Sequence, residues 1–262
     1  MHHEPGDGPG HYSGGSAARG AGRTLSQPNP GAVVELNMQE IIFLALDLTG
    51  TFVFAVSGVL LAARRGFDIT GGLVLGTMTG IGGGMIRDVL LDRVPNALGQ
   101  PIYLAPPLIA TLLVYIIGQY VSRARIWIVA FDAMGLGLFS VTGTTIALSV
   151  GANYPAALLM GALTACGGGL MRDAVASEDP AIFRGTDLYL IPALFGSGLT
   201  ILAEVTGLLN GITSLLIAAA AFAFRMLAWR LQWRVPQPMR SWSYRETGKR
   251  MKKLPSVFRK PD

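Results

Sequence analysis

Charged residues, histidine and cysteine are all scarce in this sequence. Only 14% of its 262 residues are charged, whereas a soluble domain carries about 25%. The single cysteine, Cys166, excludes an intramolecular disulfide bond. The three histidines all lie close to the N-terminus, so the rest of the chain has no imidazole for general-base catalysis or metal binding. These shortages exclude histidine-dependent enzymes, and we expect neither a metal site nor a cofactor.

Hydrophobic residues make up 51% of the chain. Seven hydrophobic runs each approach the roughly 20 residues that an α-helix needs to cross a membrane. They cover residues 41–63, 69–91, 102–121, 126–150, 154–176, 188–208 and 212–233. The sequence therefore predicts an all-α polytopic membrane protein with seven transmembrane helices.

The two ends of the chain differ from this hydrophobic region. Residues 1–38 are rich in Gly, Pro and Ser, and such a composition cannot bury enough apolar surface to fold, so we expect a disordered tail. This segment also lacks the hydrophobic stretch of a signal peptide. Residues 235–262 form a basic tail, which we interpret as an orientation signal, with contact to anionic membrane lipid as the alternative.

Positive charge is divided unevenly between the short loops. If the first helix enters from the outside, the outer loops carry only Arg93. The inner loops carry Arg64, Arg65, Arg123, Arg125 and Arg184. Because basic loops remain in the cytoplasm, we expect an outer N-terminus and a cytoplasmic C-terminus in the inner membrane of a prokaryote. This topology explains the net charge of +5, which therefore gives no indication of nucleic-acid binding.

An internal repeat is the most informative pattern in the sequence. The segment GTMTGIGGGMIRD at 76–88 aligns with GALTACGGGLMRD at 161–173, which lies 85 positions later. Each copy spans three hydrophobic runs, within 39–125 and 126–209, and an odd number of helices inverts the second copy in the membrane. A seventh helix within 210–234 stands outside the repeat. Inverted repeats are typical of proteins that move solutes along the repeat interface.

Each copy contains three consecutive glycines inside a hydrophobic run. They are Gly82, Gly83 and Gly84 in the second run, and Gly167, Gly168 and Gly169 in the fifth. Each glycine costs about 1 kcal/mol relative to alanine in a helix, so the triplets predict a break or kink that lines a pathway. Close helix packing through small residues is the alternative. The hydroxyls of Thr77, Thr79 and Thr164 are either candidate ion contacts or bonded to their own helix backbone.

An Arg-Asp pair follows each triplet: Arg87 with Asp88, and Arg172 with Asp173. Charges inside a membrane are usually paired or face a pore. Asp47 falls at the same depth as Arg87, which predicts an Asp47–Arg87 ion pair, and the repeat predicts a matching pair between Arg172 and Asp132. Separate solvation of each charge is the alternative. Asp88 and Asp173 would then remain as vestibule charges that attract cations.

These paired GGGxxRD motifs, on an inverted three-plus-three repeat with a seventh helix, resemble the prokaryotic trimeric intracellular cation (TRIC) channels. That family is also classified as the glycine-transporter domain of UPF0126-type membrane proteins. The resemblance covers about residues 40–232. It implies a homotrimer in which each protomer has its own pore for monovalent cations, chiefly potassium, between the second and fifth helices, kinked at the glycine triplets. Animal relatives have a lysine linked to lipid binding where this motif has arginine, so phosphoinositide binding is not transferred.

Three other functions compete with the channel. A secondary transporter of a small zwitterion such as glycine can have the same inverted repeats, but the middle of the hydrophobic region offers glycines and threonines rather than convergent polar groups. An aspartyl protease needs two carboxyls about 3 Å apart, whereas inversion places Asp88 and Asp173 toward opposite membrane faces. We therefore expect no enzyme. A receptor or scaffold is disfavoured because the chain has no sizeable domain outside the membrane.

Overall fold

A computed structural model describes residues 38–117, 124–183 and 188–233, and these ranges form eight α-helices and no strand. The helices are α1 (Met38–Arg64), α2 (Ile69–Leu90), α3 (Asn96–Gly99), α4 (Ala105–Ile117), α5 (Ala124–Ser149), α6 (Tyr154–Val175), α7 (Leu190–Val205) and α8 (Gly211–Arg230). Five of them are long and apolar enough to cross a membrane, and two apolar helices are shorter. The predicted all-α polytopic fold is therefore confirmed, with α3 as an additional single turn.

Six of the seven predicted runs agree with their helices to within three residues. The third run differs because it begins with a 3-10 turn, Pro101–Leu104, and becomes α-helical at Ala105. Pro106 and Pro107 occupy the first turn of α4. Proline is tolerated there because the backbone N–H groups of a first turn have no partner within the helix. The end of that run and the two predicted tails, apart from Met38, lie outside the described residues.

The signals that begin and end the helices recur with the spacing of the repeat. Asp68 and Asn153 each accept a hydrogen bond, at 2.8 and 2.9 Å, from the backbone N–H three residues later. These bonds cap the first turns of α2 and α6. Gly66 and Gly151 follow α1 and α5 with φ angles of 76° and 84°, in the left-handed region that favours glycine. Both repeats therefore encode their helix boundaries in the same way.

The two repeats meet through equivalent helices. Within the first repeat α1 packs against α2 and α4, and within the second α5 packs against α6 and α7. Between the repeats α1 packs against α5, and α2 packs against α6. Equivalent helices of the two repeats therefore pack against each other, as expected for two inverted units around a pseudo-two-fold axis. Helix α8 packs mainly against α5 and α7, with a smaller contact to α1, so it supports chiefly the second repeat.

The outer faces of the helices are apolar. On α4, one helical stripe is more than half exposed and consists of Leu108, Ile109, Leu112 and Ile116. The opposite face, which includes Ala110 and Val114, is buried against the bundle. A helix that is apolar on both faces needs an apolar solvent, so this arrangement is that of a membrane protein whose outer surface contacts lipid.

Candidate functional site

The first Arg-Asp pair belongs to a buried network at the end of the bundle where α1 begins. Arg87 Nη1 lies 3.4 Å from Asp47 Oδ1, and Arg87 Nε lies 2.8 Å from Asp88 Oδ1. Asp47 also accepts hydrogen bonds from the Tyr103 hydroxyl at 2.7 Å and from the Thr142 hydroxyl at 3.0 Å. These contacts compensate charges that would be costly to bury alone. We call this set the outer network, after the orientation that the loop charges predict.

The second Arg-Asp pair forms an equivalent network, the inner network, at the opposite end. Arg172 Nη1 lies 2.7 Å from Asp132 Oδ1, and Arg172 Nη2 lies 2.8 Å from Asp173 Oδ1. The Tyr189 hydroxyl donates to Asp132 at 3.0 Å, and Arg172 Nη1 donates to the Ser57 hydroxyl at 2.9 Å. Both ion pairs predicted from the sequence are therefore present.

Each network is connected to the other repeat by one hydroxyl group. Ser57 belongs to the first repeat but contacts the inner network, whereas Thr142 belongs to the second repeat but contacts the outer network. The two residues are 85 positions apart, and Tyr103 and Tyr189 are equivalent through the YLAP and YLIP segments. The sequence interpretation missed these four residues. The signal available was their alignment, which conserves the hydroxyl between the two copies.

Asp88 and Asp173 are both paired, and their role as vestibule charges stays a prediction. Each carboxylate binds the arginine that precedes it, and its second oxygen accepts a backbone N–H at 2.9 Å, from Asn96 and Ala181 respectively. Those N–H groups begin the short helices Asn96–Gly99 and Ala181–Phe183, where a carboxylate compensates free donors. The two carboxylates therefore lie in separate networks and do not form a catalytic dyad.

The glycine triplets do not break their helices, because α2 and α6 each continue through the triplet as one α-helix. A kink without a break stays a prediction. A Cβ atom on Gly83 would collide with the carbonyl oxygen of Thr164, and one on Gly168 would collide with the carbonyl oxygen of Thr79. The triplets thus let α2 and α6 cross backbone to backbone, as in the packing alternative.

The other glycines of the triplets differ in how closely they are packed. A Cβ atom on Gly82 would meet the sulfur of Met171, and one on Gly169 would meet the Tyr189 hydroxyl. Gly167 faces the backbone of Gly83, with 3.1 Å between the added Cβ and its Cα. At Gly84 the nearest atom, Arg87 Nη2, is 3.6 Å away, which is ordinary contact. Gly84 is therefore the position that best accepts a side chain.

The threonines bond to their own helices. Thr79 Oγ1 donates to Leu75 O at 2.6 Å, and Thr164 Oγ1 donates to Met160 O at 2.7 Å. Both residues are fully buried, so the structure agrees with the backbone alternative, and a contact to an ion stays a prediction. Thr77 is half-buried on α2.

Two aromatic rings separate the networks. Phe54 and Phe139 are fully buried, and their ring centroids lie 5.2 Å apart. Along α1, Phe54 falls between Asp47 of the outer network and Ser57, which contacts the inner network. Along α5, Phe139 falls between residues of the inner and outer networks in the same way. The ring pair therefore occupies the centre of the bundle.

Each network borders a cavity. The outer cavity measures about 500 Å³ and is lined by Asp47, Tyr103 and Thr142, among others. The inner cavity measures about 70 Å³ and is lined by residues that include Asp132 and Arg172. A further space of about 10 Å³ extends from Asp47 to the ring of Phe139. Among the described residues no cluster of three His, Cys, Asp or Glu side chains could hold a metal ion.

The two halves of the bundle each match one known domain. The family model described as "Glycine transporter" matches residues 44–119 and again residues 129–204. The chain belongs to this family. The double match corresponds to the internal repeat, and α8 lies beyond it.

Relatives within the glycine transporter family are bacterial membrane proteins. The UPF0126 inner membrane protein YadS of Escherichia coli is 34% identical over 191 residues, which cover 69% of this chain and 92% of that protein. A UPF0126 membrane protein of Streptomyces coelicolor is 40% identical over 197 residues, or 74% of this chain and 90% of the relative. The solved TRIC trimeric intracellular cation channel orthologue from Rhodobacter sphaeroides is 34% identical, with a TM-score of 0.69 over 72% of this chain and 98% of that one.

Proposed function

We propose that the protein is a cation channel that conducts monovalent cations, chiefly potassium, through one pore in each protomer. The proposed pore runs between α2 and α6 and joins the outer cavity, which is lined by α1, α5 and the segment after α2, to the inner cavity. The observation that carries the proposal is that two cavities, each bordered by a buried carboxylate network, lie on either side of one ring pair. The structural similarity of this chain to the Rhodobacter sphaeroides cation channel supports the proposal.

The outer cavity has the chemistry of a cation vestibule. Asp47 contributes a carboxylate, and Thr145 contributes a hydroxyl that has no hydrogen-bond partner within the described parts of the chain. Oxygen atoms in a partly enclosed cavity lower the potential there and raise the local cation concentration. They bind weakly enough for an ion to leave, as conduction requires.

The centre of the pore is closed in this conformation. Phe54 and Phe139 fill the space between the networks, and the crossing of α2 and α6 at Gly83 and Gly168 leaves no room for a Cβ atom. Apolar constrictions stop ions by excluding water. Opening therefore requires the two rings on α1 and α5 to separate and α2 to move away from α6.

The proposal includes assembly and location. We infer a homotrimer surrounded by membrane lipid in the inner membrane of a prokaryote, in line with the relatives. The N-terminus lies outside and the basic C-terminal tail lies in the cytoplasm. The three-helix units are 39–125 and 126–209, with a seventh helix in 210–234, and the protein has no enzymatic activity.

A secondary transporter of a small zwitterion such as glycine is the second candidate, and the size of the outer cavity favours it. At about 500 Å³, the cavity is within the range of small-molecule sites. It also contains Arg93 and Asp47, which are charges of both signs, as a zwitterion would need. The apolar ring pair at the centre, in place of a polar binding site, favours the channel.

Reconstitution of one preparation into planar bilayers and liposomes tests both functions. Under a potassium gradient we expect discrete current steps that reverse near the potassium equilibrium potential. Saturable glycine uptake into the liposomes with silent bilayers would establish the transporter instead.

A charge-matched pair of variants tests the vestibule. We expect Asp47→Asn to lower cation selectivity and conductance, because it removes the carboxylate from the outer cavity. Asp92→Asn removes the same charge from an exposed position near the same end and should leave both unchanged. Equal currents in the two variants would contradict the proposed route.

A further inference from the structure

Arg225 on α8 is a buried guanidinium that the two networks do not use. It is 2% exposed, and its Nε and Nη1 atoms have no hydrogen-bond partner among the described residues. Its Cζ atom lies 4.9 Å from the centroid of the Tyr189 ring, a cation–π distance that stabilises the charge but leaves the N–H donors unbonded. A buried charge without a partner is costly, so these donors indicate a missing acceptor.

Arg225 belongs to the wall of the inner cavity. This cavity of about 70 Å³ is lined by arginines and carboxylates. Its arginines are Arg64, Arg125, Arg172 and Arg225, and its carboxylates are Asp132, Asp173 and Glu178. Arg172 already binds both aspartates, and Glu178 lies 2.9 Å from Arg65. The three carboxylates are thus already paired with Arg172 or Arg65, and the wall has four arginines against three carboxylates.

We propose that the inner cavity binds a small inorganic oxyanion of the phosphate class, with Arg225 as its principal ligand. An oxyanion supplies several acceptor oxygens for unbonded N–H donors, and guanidinium groups suit tetrahedral oxyanions. The cavity volume holds such an ion. Since α8 has no counterpart in the repeat, the site is specific to the inner end. The site lies at the inner end of the proposed cation route, but its occupancy can be measured by binding without any measurement of conduction.

Thermal unfolding of the full chain in detergent micelles tests the site directly. Sodium phosphate is titrated at constant pH and ionic strength, with sodium chloride making up the difference. We expect a saturable rise of a few degrees in the midpoint, because a ligand that binds only the folded state stabilises it. Arg225→Met should abolish this rise. In chloride alone the variant should be at least as stable as the wild type, because it removes an unpaired buried charge.

Two further variants control for a general effect of charge or folding on the thermal midpoint. Arg230→Gln removes the same charge from an exposed position of α8 outside the cavity, and it should titrate like the wild type. Arg225→Lys keeps the charge without the planar donors, and it should bind phosphate about tenfold more weakly. Equal midpoints in phosphate and chloride for the wild type, or a normal titration of Arg225→Met, would overturn the proposal.

The same measurement in nanodiscs separates free phosphate from a lipid headgroup. Nanodiscs of phosphatidylcholine are compared with nanodiscs that also contain phosphatidylglycerol. Stabilisation by free phosphate in pure phosphatidylcholine supports the proposal. An Arg225-dependent stabilisation that requires phosphatidylglycerol and ignores free phosphate would overturn it in favour of a lipid site. Because these readouts are binding readouts, a silent bilayer would contradict the channel and leave the anion site intact.

Discussion

Phe54 and Phe139 are packed reciprocally at the centre of the bundle. Their ring centroids lie 5.2 Å apart, and each ring fills the space where a glycine on the facing helix has no side chain. A Cβ atom on Gly135 would meet the ring of Phe54, and one on Gly50 would meet the ring of Phe139. The repeat thus supplies one ring and one glycine from each copy, and the two rings together fill the centre of the bundle.

Smaller side chains at this position should open the pathway. We expect Phe54→Leu and Phe139→Leu each to increase open probability, because a smaller apolar group weakens the exclusion of water. Leucine is preferred over alanine, since Phe→Ala in a core costs about 3–5 kcal/mol. Single-channel recording measures the effect, with Phe195→Leu on the exposed face of α7 as a control. Unchanged open probability in both central variants would exclude the rings as the constriction.

Neighbouring glycines of one triplet should respond in opposite ways to alanine. At Gly83 the added Cβ would collide with the Thr164 carbonyl, so we expect Gly83→Ala to destabilise the protein by about 1–3 kcal/mol. At Gly84 the nearest atom lies 3.6 Å from the Cβ position, so Gly84→Ala should be neutral or stabilise by up to about 1 kcal/mol. Thermal unfolding in detergent distinguishes them. Equal effects would mean that α2 and α6 do not cross at Gly83.

The fold and the ion pairs were predictable because they depend on hydrophobic runs, which are local in the sequence, and on the internal repeat. A run of about 20 apolar residues has little alternative to a transmembrane helix, and an odd number of helices per copy determines the inversion. The depth of Asp47 and Arg87 in neighbouring helices predicts their ion pair. The repeat predicts the matching pair of Asp132 with Arg172, and both pairs are present.

The continuity of the glycine helices was not predictable from propensity. Helix propensities are measured in water, where an open backbone can bond to solvent. In a membrane each backbone N–H and C=O must be bonded within the protein, which opposes a break at Gly82 or Gly167. The partners of Asp88 could not be deduced either, because they depend on how the loop after α2 returns to the helix end.

Arg172 should not be replaceable by lysine. Its guanidinium binds Asp132 through Nη1 and Asp173 through Nε and Nη2, and a single ammonium cannot reproduce this planar geometry. We expect Arg172→Lys to lower the thermal midpoint clearly. Arg65→Lys alters a partly exposed pair with Glu178, where such contacts contribute about 0–1 kcal/mol, and should leave the midpoint nearly unchanged. Similar midpoints for both variants would show that charge alone maintains the inner network.

Two fully buried serines should differ in what their hydroxyls contribute. Ser57 accepts a hydrogen bond from Arg172 at 2.9 Å, whereas the hydroxyl of Ser214 has no partner within the described ranges. A hydrogen bond to a charged group contributes about 1.5–3 kcal/mol, but an unbonded buried hydroxyl costs free energy. Ser57→Ala should therefore destabilise the protein, and Ser214→Ala should be neutral or stabilising, in matched thermal or denaturant unfolding.

The hydroxyl of Thr142 in the outer network is equivalent to that of Ser57 in the inner network, and the two can be compared directly. Thr142→Val removes the bond to Asp47 while keeping the shape of the side chain, so a loss comparable to that of Ser57→Ala is expected. If the two hydroxyls hold the repeats together, the double variant should lose at least the sum of the single losses, since each removes a separate contact between repeats. A double variant no less stable than either single variant would mean that the contacts between α1 and α5 alone hold the inverted halves in register.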